Sequence, residues 1–182
     1  VDILPEASIV PDGNFPLIYC EKGLLDFDLI WDGQPDEEAG IQLISLKGGR
    51  SRNIVPDQAE CVLKCENAKM VLESLTLPPQ VTGSVKDGLL TLKSKGVSAH
   101  CMTPEKGFNA VACLLETLYQ LRDRFAYGAC MENFHQALGM DCAGEKLGCA
   151  MADEAGALTF NAGTVCLEEN GKIHLCCNVR YP

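Results

Sequence analysis

His100, in the stretch Gly96-Val-Ser-Ala-His100-Cys-Met-Thr103-Pro104, is the side chain whose type and setting best suit chemistry. An imidazole titrates near neutral pH and can donate or accept a proton there. The run Leu89-Leu-Thr-Leu-Lys-Ser before it predicts a strand. After it, Thr103 fits an N-cap and Pro104 a first helical position, where no N–H is needed. Val111, Leu114, Leu115, Leu118 and Leu121 recur at helical spacing, so a helix is expected over 104–122. His100 is therefore expected at a strand-to-helix junction, where rigid elements can present a loop side chain to a ligand. Spacing alone favours a plainer reading, a loop histidine that caps a neighbouring group.

Other chemistry is sparse. The remaining histidines, His135 and His174, lie far apart in sequence, and a catalytic zinc centre takes about three protein ligands per ion. The adjacent pairs Glu37-Glu38 and Glu168-Glu169 fall in an acidic loop and at a hairpin tip, and read as solvated charge. No phosphate-binding glycine loop, nucleophile elbow or cysteine–histidine pairing stands out. The 11 cysteines lack the paired spacing of a structural zinc site. Most sit in apolar runs such as Val111-Ala-Cys113 and Leu175-Cys-Cys177, so free buried thiols in a reducing cytoplasm are expected, without disulfides.

The 182 residues, 47% hydrophobic and 22% charged, suit a globular protein with a real core. A formal charge of −10 argues against nucleic acid and anionic membranes as partners. No apolar run approaches the roughly 20 residues of a membrane span. The chain opens on Val1-Asp-Ile-Leu-Pro, neither a Met start nor a signal peptide, and is expected to be a piece of a longer protein.

Alternation predicts strands at 15–20, 23–31, 41–46, 59–64, 89–94, 157–160, 163–167 and 172–180. A short helix is expected over 67–75, with Met70, Val71 and Leu75 on one face, and another over 131–138, stopped by Gly139. Asn170-Gly171 marks a hairpin tip. The order suits an α+β fold, an antiparallel sheet with helices packed on one face.

Four segments, in order along the chain, resemble the lid domain of PepV-type zinc dipeptidases, of the aminoacylase and zinc carboxypeptidase superfamily. They are Val10-Pro11-Asp12-Gly-Asn-Phe15-Pro16; Gly48-Gly49-Arg-Ser-Arg-Asn53-Ile-Val55-Pro56-Asp57; Ser98-Ala-His100; and Asn178-Val179-Arg180-Tyr181-Pro182. The resemblance implies a ferredoxin-like, βαββαβ-like lid, one half plus part of a second. Residues 1–16 would be a remnant of the junction with a catalytic domain. The lid would cover 17–182, as halves of about 17–125 and 126–182, the second incomplete.

The full-length enzyme would be a cytoplasmic hydrolase with two zinc ions that cleaves short peptides by metal-activated water. Asp12 would be a single zinc ligand, the others lying outside this chain, so no tightly bound zinc is expected here. His100 would stabilise the oxyanion, while Arg180 and Asn53 would bind substrate. The dipeptide would be reached through the missing catalytic domain, and the isolated chain is expected to be inactive. Two alternatives remain: the lid of an N-acyl amino-acid deacylase, and a non-catalytic domain that dimerises through an open sheet edge.

Overall fold

A computed structural model describes residues 20–182. The junction over 1–16, Asp12 and nearly all of the strand expected at 15–20 lie outside the described residues. Seven strands form one antiparallel sheet: β1 (Gly23–Trp31), β2 (Ile41–Gly48), β3 (Gln58–Cys65), β4 (Val81–Lys86), β5 (Leu89–Lys95), β8 (Thr159–Leu167) and β9 (Ile173–Tyr181). Their order across the sheet is β1-β9-β8-β2-β3-β5-β4. A two-stranded ribbon, β6 (Ala152–Asp153) with β7 (Gly156–Ala157), precedes β8.

Three helices, α1 (Ala68–Ser74), α2 (Ala110–Tyr119) and α3 (Gly128–Ala137), cover one face of the sheet. This is the expected α+β arrangement. The run β3-α1-β4-β5-α2 has the βαββα order of a ferredoxin-like unit, and β2 is inserted between β3 and β8. Alternation explains the strands: Ala59, Cys61 and Leu63 of β3 are buried against the helices, while Gln58 and Lys64 are exposed. The core is one cluster in which Leu63, Leu90, Leu92, Leu114 and Leu118 are fully enclosed.

Several expectations need correction. The helix expected over 104–122 begins instead at Ala110. Pro104–Lys106 forms only a 3-10 turn, and Thr103 makes no side-chain cap bond. The cap of α2 is Asn109, whose side chain accepts from the Ala112 N–H at 2.9 Å. Met70 is exposed, and the buried side of α1 is Ala68 and Val71, with Leu75 just beyond. The strands expected at 157–160 and 163–167 are a single strand, β8, with a bulge between Ala162 and Thr164. β4 was not expected. It pairs with β5 through a turn at Asp87 and Gly88, both at positive φ.

Candidate functional site

The face of the sheet away from the helices carries polar side chains. On β9 the residues alternate, with Ile173, Leu175, Cys177 and Val179 turned to the core, so His174, Cys176, Asn178 and Arg180 share the opposite face. Asp26 and Asp28 of β1 pair with Asn178 and Cys176, and Asn161 and Thr159 of β8 with Asn178 and Arg180, so all four stand on that same side.

The asparagine loop reaches this face because the sheet forks. β2 and β8 pair only at Lys47–Cys166 and Gly48–Val165, and beyond that point residues 49–57 leave β2 and cross β8. The crossing is close. A Cβ on Gly163 would come within 2.4 Å of the Arg52 Cα, and one on Gly49, at φ +72, within 1.9 Å of the Gly163 carbonyl oxygen. Asn161, 1% exposed, anchors the loop from below. Its Nδ2 donates to the carbonyls of Arg52 at 2.9 Å and Ile54 at 3.0 Å, and its Oδ1 accepts from Asn109 Nδ2 at 3.2 Å. The cap of α2 and the loop bearing Asn53 thus share one buried amide.

The three lid candidates are linked through these elements. Ile54 bridges to His100, the Cys101 N–H donates to the Asn53 carbonyl at 3.0 Å, and the Val55 N–H donates to the Ala99 carbonyl at 2.9 Å. Thr159, paired with Arg180 across the β8–β9 ladder, donates its hydroxyl to the Cys101 carbonyl at 2.8 Å. His100 itself is exposed. Its Nδ1 accepts from the Met102 N–H at 3.2 Å, which assigns the proton of the neutral ring to Nε2. The Asn53 Oδ1 accepts from the Ser51 hydroxyl at 2.5 Å. Arg180 donates through Nε to Asn178 Oδ1 at 3.3 Å, and Asn178 in turn donates to Asp26 at 2.6 Å. Among the described residues Arg180 has no carboxylate partner, whereas Arg52 pairs with Asp28 at 3.2 Å and Arg122 with Glu132 at 3.4 Å.

Beside the loop, Gly49, Arg50 and Asp57 join Glu60, Lys93 and Lys95 around an open cavity of about 750 Å³. Glu60 lies 2.8 Å from Lys93 and 3.7 Å from Lys47. The Lys93 hydrogen bond holds its carboxyl below the usual value, against the opposing effect of burial. Burial pushes the Asp28 carboxyl up, but the Cys176 thiol, the Arg52 charge and His174 outweigh it and leave it lowered. All eleven cysteines are free thiols, and burial raises those of Cys61, Cys130 and Cys177 to about 12.

Among the described residues the cluster of three metal-capable side chains is Asp28, His174 and Cys176. None of His100, Asn53 and Arg180 belongs to it. Sequence reasoning overlooked this cluster, as it did Asn161, Asn178, Thr159 and Asn109. The signal available for the cluster was His174-x-Cys176, two donors on one strand face.

No family model matches the chain. It is similar over 98% of its length to proteins named as dipeptidases. It is 32% identical to "Putative dipeptidase YtjP" of Bacillus subtilis (strain 168), and 31% identical to a Staphylococcus aureus (strain MRSA252) protein also named "Putative dipeptidase". The chain spans 40% of the length of each. No helix among the described residues is long and apolar enough to cross a membrane.

Proposed function

We propose that the chain is the lid region of a PepV-type, metal-dependent dipeptidase of the cytoplasm, whose remaining length supplies the general base and most metal ligands. The observation that supports this reading is the hydrogen bonding of the Asn53 loop and the His100 junction to each other and to β8, the strand paired with Arg180. The relatives' names support the same class. Two zinc ions, one ligated by Asp12, would activate the water that cleaves the peptide.

The chain's own residues bind and orient. With Nδ1 occupied by the Met102 N–H, His100 offers Nε2–H to the carbonyl oxygen on which charge develops. Arg180, its Nε held by Asn178, presents its terminal nitrogens to a substrate C-terminal carboxylate, a match that favours very short peptides. Asn53 binds the same end of the substrate. The isolated chain lacks the metal-bearing domain and is expected to hydrolyse nothing, even with added zinc.

The test uses the full-length protein on a dipeptide and on its C-terminal amide. Arg180→Ala is expected to lower kcat/KM on the dipeptide by about 100-fold and to leave the amide little changed, the loss of one bidentate charged contact. His100→Ala is expected to lower kcat by about 10²–10³ with KM nearly constant. Wild-type kinetics in both variants overturn the lid reading. A wild-type preference for N-acyl amino acids over dipeptides replaces it with the deacylase.

A second reading, a dimerisation domain, is favoured by β1. Among the described residues this strand pairs only with β9, and it exposes Leu24, Leu25, Leu29 and Ile30 along an open edge.

A further inference from the structure

We propose that Asp28, His174 and Cys176 form a site for a zinc-class divalent cation on the polar face of the sheet. This site is separate from any that the dipeptidase reading requires. The three residues meet through strand register. Asp28 stands directly opposite Cys176 on the β1–β9 ladder, and His174 precedes Cys176 by two residues on the same face. The His174 Nε2 lies 3.4 Å from Asp28 Oδ2 and 3.8 Å from Cys176 Sγ. All three donor atoms lie within 4.8 Å of one another.

These separations are those of ligands around an ion. With Zn–N of about 2.05 Å, Zn–O of about 2.1 Å and Zn–S of about 2.3 Å, tetrahedral angles put N and O about 3.4 Å apart and N and S about 3.6 Å apart. The two pairs that His174 makes are thus within about 0.2 Å of those separations, and Asp28 and Cys176 close on a cation from within 4.8 Å of each other.

The surroundings fit as well. Glu168 Oε1 sits 3.2 Å from His174 Nδ1, the carboxylate–histidine arrangement that fixes a ligating ring and directs its other nitrogen at the metal. A thiol, an imidazole and one carboxylate select zinc or cobalt over magnesium or calcium, which take oxygen. Binding releases the thiol proton, because the thiolate is the ligand. Arg52, 3.2 Å from Asp28 Oδ1, occupies the carboxylate oxygen that the cation does not need, and its charge moderates affinity. Three protein ligands leave a fourth position for water.

Titration of the 182-residue chain with Co²⁺, followed by competition with Zn²⁺, tests the proposal apart from the dipeptidase reading, because neither metal binding nor its spectrum depends on peptide hydrolysis. Expected is one equivalent of Co²⁺ with the intense visible bands of a four-coordinate ion and a near-ultraviolet thiolate-to-cobalt charge-transfer band. Cys176→Ser should abolish that band, whereas Cys166→Ser, which removes the exposed thiol opposite His174, should retain it. Glu168→Gln should weaken Zn²⁺ binding by about tenfold, the effect of losing a partner behind a ligating histidine. Arg52→Gln should tighten it. Absence of the charge-transfer band in the wild type, or its persistence in a folded Cys176→Ser variant, overturns the proposal. If Cys176→Ser does not fold, an unchanged affinity in Glu168→Gln overturns it instead.

Discussion

Asn161 makes three hydrogen bonds that join two parts of the candidate site: the Arg52 and Ile54 carbonyls of the loop and the Asn109 cap of α2. Its removal leaves two part-buried carbonyl groups without this donor, and an unsatisfied group costs about 1–3 kcal/mol when buried. Asn161→Ala is therefore expected to lower stability by about 2–4 kcal/mol in denaturant unfolding. A loss below about 0.5 kcal/mol, the range of an ordinary surface substitution, counts against this role. Glu60 gives a pH-dependent counterpart. Its carboxyl is lowered from 4.5 in the folded chain, so its contribution is present above that value and lost as pH falls through the lower folded one. Partly exposed ion pairs contribute at most about 1 kcal/mol. Glu60→Gln should cost up to about that much at pH 7 and progressively less at acid pH below 4.5, as the folded carboxyl takes up its proton. Melting curves at neutral and acid pH decide it. An equal deficit at both would mean that Glu60 acts through packing rather than charge.

The fork between β2 and β8 is the element on which the site depends, and it requires glycine. Gly163→Ala would drive a methyl into the Arg52 backbone at 2.4 Å, where no flexible side chain can yield. The expected result is a loss of about 2–3 kcal/mol, the upper part of the range for overpacking, read from the denaturant midpoint. A neutral variant would show that the loop can lift from β8 freely. Elements whose signal is local were legible in the sequence: β1 from its alternation, the α3 stop from Gly139 at φ +55, and the β8–β9 turn from Asn170-Gly171. The α2 start was misread because Thr103-Pro104 carries a helix signal that Gly107, in extended conformation, terminates after one turn. Asn109 then supplies the working cap. β4 was missed because Gly83 interrupts its pattern, although Asp87-Gly88 marked the turn. His100, Asn53 and Arg180 were found through resemblance rather than spacing. His174-x-Cys176 was legible as two donors on one strand face, but Asp28 was out of reach, because its meeting with them depends on register between strands nearly 150 residues apart.

Across the sheet as a whole, the helices cover one face, the other carries the polar network, and β1 forms an edge among the described residues. Edge strands are usually guarded by charge turned outward. Here the two acids of β1, Asp26 held by Asn178 and Asp28 by Arg52, stay exposed, and beside them the strand exposes Leu24, Leu25, Leu29 and Ile30. Pairing two such edges would extend the sheet and remove these side chains from water, at about 25 cal/mol per Å² of apolar surface. The net charge of −10 opposes the approach of two copies, and salt screens that repulsion. The chain is therefore expected to form a reversible dimer whose fraction rises with concentration and with salt, measured by sedimentation equilibrium. Ile30→Lys and Leu24→Lys, placing charge on the exposed edge, should shift it to monomer without lowering its melting temperature. A wild-type chain that stays monomeric at high protein and salt would remove the support for the dimerisation reading, because a hydrophobic edge that does not self-pair even when repulsion is screened gives no sign of being an interface between copies of this chain.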